Sequence, residues 1–280
     1  MAKTLSEALA VPAGKVELAS FDSRATTGFD GAKKDAAELM AKLGERLADL
    51  QERLFAGGRS ETAAQSVLLL LQGMDTAGKG GIVKHAVGLV DPLGVAISSF
   101  KKPTKEELAH DFLWRIDKAL PAPGMIGIFD RSHYEDVLIG RVRKLAVEKE
   151  IERRYAAIND FESAYVEGGG TIIKCFLFIT PDDQKERLQA RLDDPTKHWK
   201  YSPGDLDERA LWADYQTAYE IALERCSTAS ARWHLVPSGV KWYRNWAVAQ
   251  LLFEHLEELK LEWPKANFDV EAEKNRLTQL

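Results

Sequence analysis

Residues 73–80 read Gly-Met-Asp-Thr-Ala-Gly-Lys-Gly, a G-x-x-x-x-G-K pattern. Glycines at that spacing let a backbone approach phosphate oxygens and aim its N–H groups at them. Lys79 adds a full positive charge that can reach terminal phosphates. An apolar run, 67–71, precedes the loop, and Ile82-Val83-Lys84-His85 follows as a helix start. The helix would bring its positive N-terminal end to the same place. Gly73, Gly78, Gly80, Gly81 and Lys79 are therefore candidate phosphate-binding residues. One part is missing: ATP-using loops carry Ser or Thr after the lysine, and its hydroxyl binds magnesium. Gly80 stands there instead. Asp75 is the unusual member, because a carboxylate repels phosphate unless a cation lies between them. It is either an Asx-type cap that holds the turn or a magnesium ligand replacing the absent hydroxyl.

Phe129-Asp130-Arg131-Ser132 forms a second group. Asp130 ends an apolar run, where a second magnesium ligand sits in nucleotide-binding α/β folds; the alternative is a cap for the segment that follows. Arg131 would present a planar, multidentate donor to phosphate oxygens. His133 could act as a base, but transfer to a phosphate oxygen that is already deprotonated needs none, so a hydrogen-bonded structural role also suits it.

The third group lies within 184–200. Arg187 and Arg191 are one helical turn apart, and Lys197 and Lys200 follow Pro195. The interspersed acids allow a plain solvated helix. Its place after a strand also suits a lid that brings cations over transferring phosphates. Arg141, Arg143 and Lys144 make a further basic group, with solvation and function both open.

Elements that could position these residues alternate along the chain. Strands are expected at 67–71, 95–100, 125–129, 171–179 and 233–236. Helices are expected at 33–55, from the loop to Leu89, 104–120, 134–144, 150–166, from Thr180 onward, 212–225 and 242–261. Thr104 with Glu107 reads as a capping box, and Pro181 as a first helical residue. Residues 1–31 read as an extended arm and the tail after Pro264 as loosely held. Alternating strands and helices imply an α/β fold with a parallel sheet and right-handed crossovers, whose ligands bind beyond the carboxyl ends of the strands. The expectation is one domain over 1–280, with the arm and first helix at 1–55 and a lid insertion at 180–204.

Bulk properties narrow the function classes. A net charge of −5 does not favour nucleic acid as a partner. Cys175 and Cys226 form neither a metal spacing nor a disulfide framework; Cys175 lies in an apolar run and reads as a core thiol. No apolar run approaches the roughly 20 residues of a membrane span. No leader is evident at the amino terminus. A cytoplasmic location without a membrane partner is expected.

Taken together, Gly-Met-Asp-Thr-Ala-Gly-Lys-Gly-Gly at 73–81, Phe-Asp-Arg-Ser-His-Tyr-Glu-Asp-Val-Leu at 129–138 and Arg-Leu-Asp-Asp-Pro-Thr-Lys-His-Trp-Lys at 191–200 resemble the three signatures of the type 2 polyphosphate kinase family. Residues 214–219 and 242–246 are similar to it as well. The resemblance implies a three-layer P-loop kinase fold like that of thymidylate kinase, with a five-stranded parallel sheet and a helical lid. It implies reversible transfer of the terminal phosphoryl group of inorganic polyphosphate to ADP and AMP, dependent on magnesium, with manganese as a substitute. Carried over by position, Asp75 and Asp130 hold metal and phosphates, Lys79 the transferring phosphate, and Arg131 and Arg191 the phosphate chain. Arg141, Arg187, Lys197 and Lys200 stand as further phosphate contacts. The Ser-His-Tyr-Glu-Asp form around Glu135 is similar to a subgroup, called class III, that phosphorylates both mono- and diphosphates. The family implies a homodimer or homotetramer. Two other readings remain at this stage: an ATP-dependent nucleoside monophosphate kinase, and a non-catalytic nucleotide- or phosphate-binding module.

Overall fold

The structure, a computed structural model, describes residues 3–60 and 65–280. Met1 and Ala2, at the head of the stretch read above for a leader, lie outside the described residues. In chain order the elements are α1 (Leu5–Leu9), α2 (Ala36–Gly58), β1 (Ser66–Gln72), α3 (Lys79–His85), β2 (Val95–Ser99), α4 (Trp114–Asp117), β3 (Ile126–Asp130), α5 (Ile139–Val142), α6 (Glu148–Glu167), β4 (Gly170–Phe178), α7 (Pro181–Leu192), α8 (Gly204–Arg209), α9 (Trp212–Arg225), β5 (Trp233–Pro237), α10 (Lys241–Glu258) and α11 (Val270–Thr278).

The five strands form one all-parallel sheet in the order β2-β3-β1-β4-β5. β1 is buried along its whole length, which explains why its sequence is a continuous apolar run without alternation. The helices fall into two packed groups. One joins α1, α2, α3 and α10; the other joins α5, α6 and α9. Their apolar faces and the sheet share one core. On α2 the buried positions are Ala36, Leu43, Gly44, Leu47, Gln51 and Leu54, a stripe at helical spacing.

All five expected strands are present. Two helical expectations need correction, and both ends of the chain carry a helix that was not expected. The segment expected as one helix from Thr104 is broken. Its capping box forms, with Glu107 N–H donating to Thr104 Oγ1 at 3.2 Å and Thr104 N–H to Glu107 at 2.6 Å. The turn then ends at His110, whose backbone is extended. Asp111 accepts from the Leu113 N–H at 3.2 Å and starts a new turn, so only α4 is α-helical there. The expected helix at 134–144 is likewise a 3-10 turn, His133–Asp136, followed by the short α5. The amino-terminal arm is not merely laid on the surface. It contains α1, closed by a Thr4–Glu7 capping box, and buries Leu5, Leu9, Val11, Val16 and Leu18. The tail carries α11, capped by Asp269 and exposed throughout.

His234, on the edge strand β5, receives this arm. Ala10 bridges to it in antiparallel fashion. Its imidazole is 2% exposed, with Nδ1 3.2 Å from the Lys174 carbonyl and Nε2 2.9 Å from Ser6 Oγ. A neutral ring with the proton on Nδ1 satisfies both contacts. Burial, then the nearby His255, pushes its pKa down to about 4. A histidine held neutral in the fold but ionisable when unfolded favours unfolding as pH falls below its unfolded value of about 6.5. Stability should therefore fall by about 3 kcal/mol between pH 6.5 and 4 from this group alone, at 1.36 kcal/mol per unit. Urea unfolding of wild type and His234→Gln across that range should show a shallower acid loss in the variant.

Candidate active site

The strand order sets where the site lies. β1 is hydrogen-bonded on one side to β3 and on the other to β4, with Leu71 level with Asp130 and Gln72 with Phe176. The segments after these three strands therefore emerge side by side at the carboxyl edge, where ligands of open α/β sheets bind.

The loop after β1 turns sharply. Gly73 has φ +154° and Gly78 +114°, while Thr76, a β-branched residue, is held at +68°. Such a backbone at Thr76 is costly and persists only when the surroundings impose it. Lys79 Nζ donates to the Gly73 carbonyl at 2.9 Å, closing the loop on itself. Burial, then the facing Arg131, lowers the Lys79 pKa, against the pull of Asp75, Asp130 and Glu135. A Cβ at Gly80 would meet nothing within 4 Å, so packing leaves room for a hydroxyl-bearing residue there. Gly73 is different, since a Cβ would lie 2.8 Å from the Leu177 carbonyl.

Arg131 is the second non-glycine residue in the left-handed region, with φ +65°. Its two Nη atoms split between loop and turn: Nη2 donates to Asp75 at 2.9 Å and Nη1 to Glu135 at 3.0 Å. Burial works against its charge, but Glu135 and Asp75 more than offset it and hold its pKa above the ordinary value. Glu135 also accepts from Gln72 at the end of β1. Neither acid acts as a cap. The turn after β3 is capped by Ser132, whose Oγ accepts from Tyr134 N–H at 3.2 Å, and Asp75 has its recorded bond with Arg131. The Asp130 carboxylate makes no hydrogen bond or ion pair among the described residues.

His133 is fully buried, 3.1 Å from Glu162, which is the structural role rather than that of a base. Glu162 on α6 also accepts from Tyr134 Oη at 2.9 Å and from Lys174 Nζ at 2.5 Å. Lys174, at the middle of β4, donates further to the Tyr134 hydroxyl at 2.9 Å and the Cys226 carbonyl at 2.6 Å. A buried ion pair thus grips the turn that carries Arg131 and Glu135. Burial opposes the Glu162 charge, yet Lys174 and His133 keep its pKa below the usual value.

The segment after β4 begins with a third capping box, Thr180 with Asp183. The amino-terminal arm braces that start: Ser23 Oγ donates to Asp183 at 2.6 Å and Arg24 at 2.8 Å. Gln184 donates to the Asp75 carbonyl at 3.1 Å. The basic residues of this segment separate into three roles. Arg187, expected to face phosphate, turns its guanidinium onto the carbonyls of Thr76, Ala77, Ser238 and Gly239, bracing the loop from behind. Arg191 donates to the Lys200 carbonyl at 2.8 Å and pairs with Asp205 at 3.4 Å. Burial, then Asp75, raises the Asp205 pKa. Lys197 pairs with Asp194 at 2.6 Å, and Lys200 lies 4.9 Å from the Trp199 ring; both remain exposed. Arg141 is not brought to the loop. It pairs with Glu148 and Glu152 and lines a separate depression with Leu145 and Val147.

A cavity of about 180 Å³ opens beside the loop. Gly73, Met74, Asp75 and Arg131 form its polar end; Leu138, Ile139, Tyr215 and Tyr219 form an apolar and aromatic wall, with Glu135 and Glu208 along it. Glu208 is itself fixed by Arg143 at 2.9 Å and by the Tyr215 hydroxyl at 2.5 Å. The chemistry available is that of an anion held at one end and a flat, partly apolar group at the other. Glu208 and Gln72 carry no motif of their own, and Arg244 lies within the stretch 242–246; the pairing of β1 places Gln72, Arg143 and Tyr215 place Glu208, and the packing of α10 places Arg244. Among the described residues no group of three or more His, Cys, Asp or Glu converges on a metal-sized space. Magnesium needs no such cage, since it takes one or two carboxylates and completes its shell with waters and substrate phosphates. Asp75 and Asp130 fit that donor set.

A phosphate loop on the central strand, an unpaired acid at the end of its neighbour and an arginine-bearing helix after the next define a P-loop kinase. A sequence model of the polyphosphate kinase 2 family matches residues 31–264, and the chain belongs to that family. It is 45% identical over 254 residues to an AMP/ADP-polyphosphate phosphotransferase of Meiothermus ruber, covering 91% of this chain and 93% of the relative. It is 38% identical over 263 residues to an ADP-polyphosphate phosphotransferase of Rhodopseudomonas palustris, covering 90% and 89%. The crystal structure of polyphosphate kinase 2 from Arthrobacter aurescens TC1 superposes with a TM-score of 0.96 at 56% identity, over 99% of this chain and 98% of that one.

Removing one partner of the pair behind Arg131 should be costly. Lys174→Met leaves the Glu162 carboxylate buried without its main counter-charge and should lower stability by about 3–5 kcal/mol. The double variant Glu162→Gln/Lys174→Met should recover most of that loss in urea unfolding, because the uncompensated charge is gone.

Proposed function

We propose that this protein transfers the terminal phosphoryl group of inorganic polyphosphate to ADP and to AMP, reversibly and with magnesium, or manganese in its place, at Asp75 and Asp130. Gly80 carries this reading. A side chain there would point into open space, so steric crowding does not explain the missing hydroxyl. An ATP-dependent monophosphate kinase would use that hydroxyl on its metal; here a carboxylate, Asp75, enters the loop instead. The names of the Meiothermus ruber and Rhodopseudomonas palustris relatives support polyphosphate and adenine nucleotides as the substrate class, and the first of them supports AMP as well as ADP.

The chain's own residues divide the work as follows. The loop N–H groups and the start of α3 bind the phosphate chain end. Lys79, released from the Gly73 carbonyl, follows the transferring phosphoryl group. Arg131 offers the same fork to phosphate oxygens that it offers to Asp75 and Glu135. The cavity beside the loop takes the acceptor nucleotide, its phosphates toward Arg131 and its base toward Leu138, Ile139 and Tyr215. Magnesium, when bound, neutralises phosphate oxygens and favours the charge spread of the transition state. No general base is required, since the attacking phosphate oxygen is already ionised, and His133 is occupied by Glu162. The segment 180–204 acts as a lid, with Arg191, Lys197 and Lys200 exchanging their present partners for phosphates on closure. The whole chain works as one kinase domain in the cytoplasm, assembled as a homodimer or homotetramer.

Supplying long-chain polyphosphate, magnesium and either ADP or AMP, with no ATP, should yield ATP from ADP and ADP then ATP from AMP. ADP formed only when AMP is given ATP would instead support the ATP-dependent reading. Lys79→Ala and Asp130→Ala should each lower turnover by about 10²–10³-fold or more, with melting temperatures near that of wild type. Chelation of divalent metal should stop the wild-type reaction. Near-normal turnover in either variant, or in the chelated enzyme, would count against these assignments.

A further inference from the structure

Two guanidinium groups lie behind the phosphate loop. Arg244, on α10, is 4% exposed. Its Nη1 donates to the Ala77 carbonyl at 3.0 Å, while Nε and Nη2 donate to Asn245 Oδ1 at 3.2 and 2.8 Å. Arg187, half-buried, spends its donors on four backbone carbonyls. Every acceptor is neutral. Among the described residues no carboxylate oxygen lies within 4.0 Å of either guanidinium. This is unusual, because buried charges are ordinarily paired. Arg131, a few residues away in space, has two carboxylates to itself.

The loop is built around this arrangement. A Cβ at Gly78 would lie 1.7 Å from Arg244 Nη1, and one at Gly81 would lie 2.6 Å from Nη2. Two of the glycines read as phosphate contacts are therefore also the space into which a cation packs. Burial, then the charge of Arg187, brings the Arg244 pKa to about 10, and burial lowers that of Arg187 against the more distant pull of Asp183 and Glu186. Both stay protonated at neutral pH. Lys241, one turn before Arg244, is lowered by burial and by these same two arginines, so three cations share one region. A brace for carbonyls alone would be served by neutral amides, without the desolvation of a charge.

We propose that Arg244 and Arg187 form a standing positive charge behind the loop, directly paired with no protein carboxylate, so that the phosphate chain bound in front is its main counter-ion. They act through the loop backbone and are positioning residues. The inference rests on the phosphate-chain reading given above and adds the source of the loop's attraction. It has an opposed pair of consequences: neutralising either arginine relieves the empty protein and weakens anion binding.

The test uses the full chain and sodium tripolyphosphate as probe. Calorimetric titration of wild type, Arg244→Met, Arg187→Gln and Arg244→Lys is done at low and moderate salt, with melting temperatures of the empty proteins alongside. Arg244→Met and Arg187→Gln should bind tripolyphosphate about ten-fold more weakly or worse, with a shallower salt dependence. Their empty-state melting temperatures should equal or exceed that of wild type, and Arg244→Lys, which keeps the charge, should recover binding. Wild-type affinity in both neutral variants would overturn the inference. So would weakening matched by a fall in melting temperature, failure of Arg244→Met to fold, or failure of Arg244→Lys to recover binding. Absence of tripolyphosphate binding to wild type would remove the phosphate-chain reading itself, and the inference with it.

Discussion

β1 has a neighbour on each side, and the site depends on that. Had it been an edge strand, the loop that follows it would have met one other strand end. Paired with β3 and β4 at once, it puts Gly73 beside Asp130 and beside the start of α7. Three segments spread over more than a hundred residues of chain meet because their strands share backbone hydrogen bonds. Close packing on both faces of a fully buried strand then fixes their relative height.

On that frame, charge is distributed unevenly and with purpose. Arg131 is held by Asp75 and Glu135, so its place is set before any ligand arrives. The turn beneath it is held by Lys174 and Glu162, an ion pair sealed from water. Such pairs add little to stability overall, but they penalise every arrangement that separates them. Arg131 itself sits in a backbone conformation that non-glycine residues avoid, and a rigid support below is what keeps it there. Behind the loop the pattern reverses, with cations left facing neutral carbonyls.

Much of this was legible in the chain. The five strands are short apolar runs bounded by Gly, Pro and Asp, and each appears where the run predicts. The phosphate loop, Asp130 and Arg131 were readable because their chemistry is local: glycine spacing, an acid closing an apolar run. The broken helices at 104–120 and 134–144 were not: Asp111 accepts from Leu113 and restarts the backbone after His110, while Ser132 caps only a 3-10 turn and α5 begins after Leu138 with no side-chain cap. Arg187 illustrates the limit on sites. Its one-turn spacing from Arg191 correctly places both on α7, but spacing cannot say which carbonyls lie beyond the end of each side chain. The two arginines diverge, one onto the carbonyls behind the loop and one onto Asp205 and the Lys200 carbonyl. The role of Arg244 was hidden for a similar reason, since it acts from a helix whose sequence is otherwise an apolar core stripe.

The amino-terminal arm bears on when this site can exist during synthesis. Its partners are remote in sequence: Leu5 N–H reaches Glu254 across 249 positions, Ser6 reaches His234 across 228, and Ser23 reaches Asp183 across 160. An emerging chain makes its first segment long before the residues that receive it. Those first apolar side chains, Leu5, Leu9 and Val11, must wait exposed until β5 and α10 have been made. Docking of α1 thus waits until β5 and α10 have been made, as expected for contacts of such wide sequence separation.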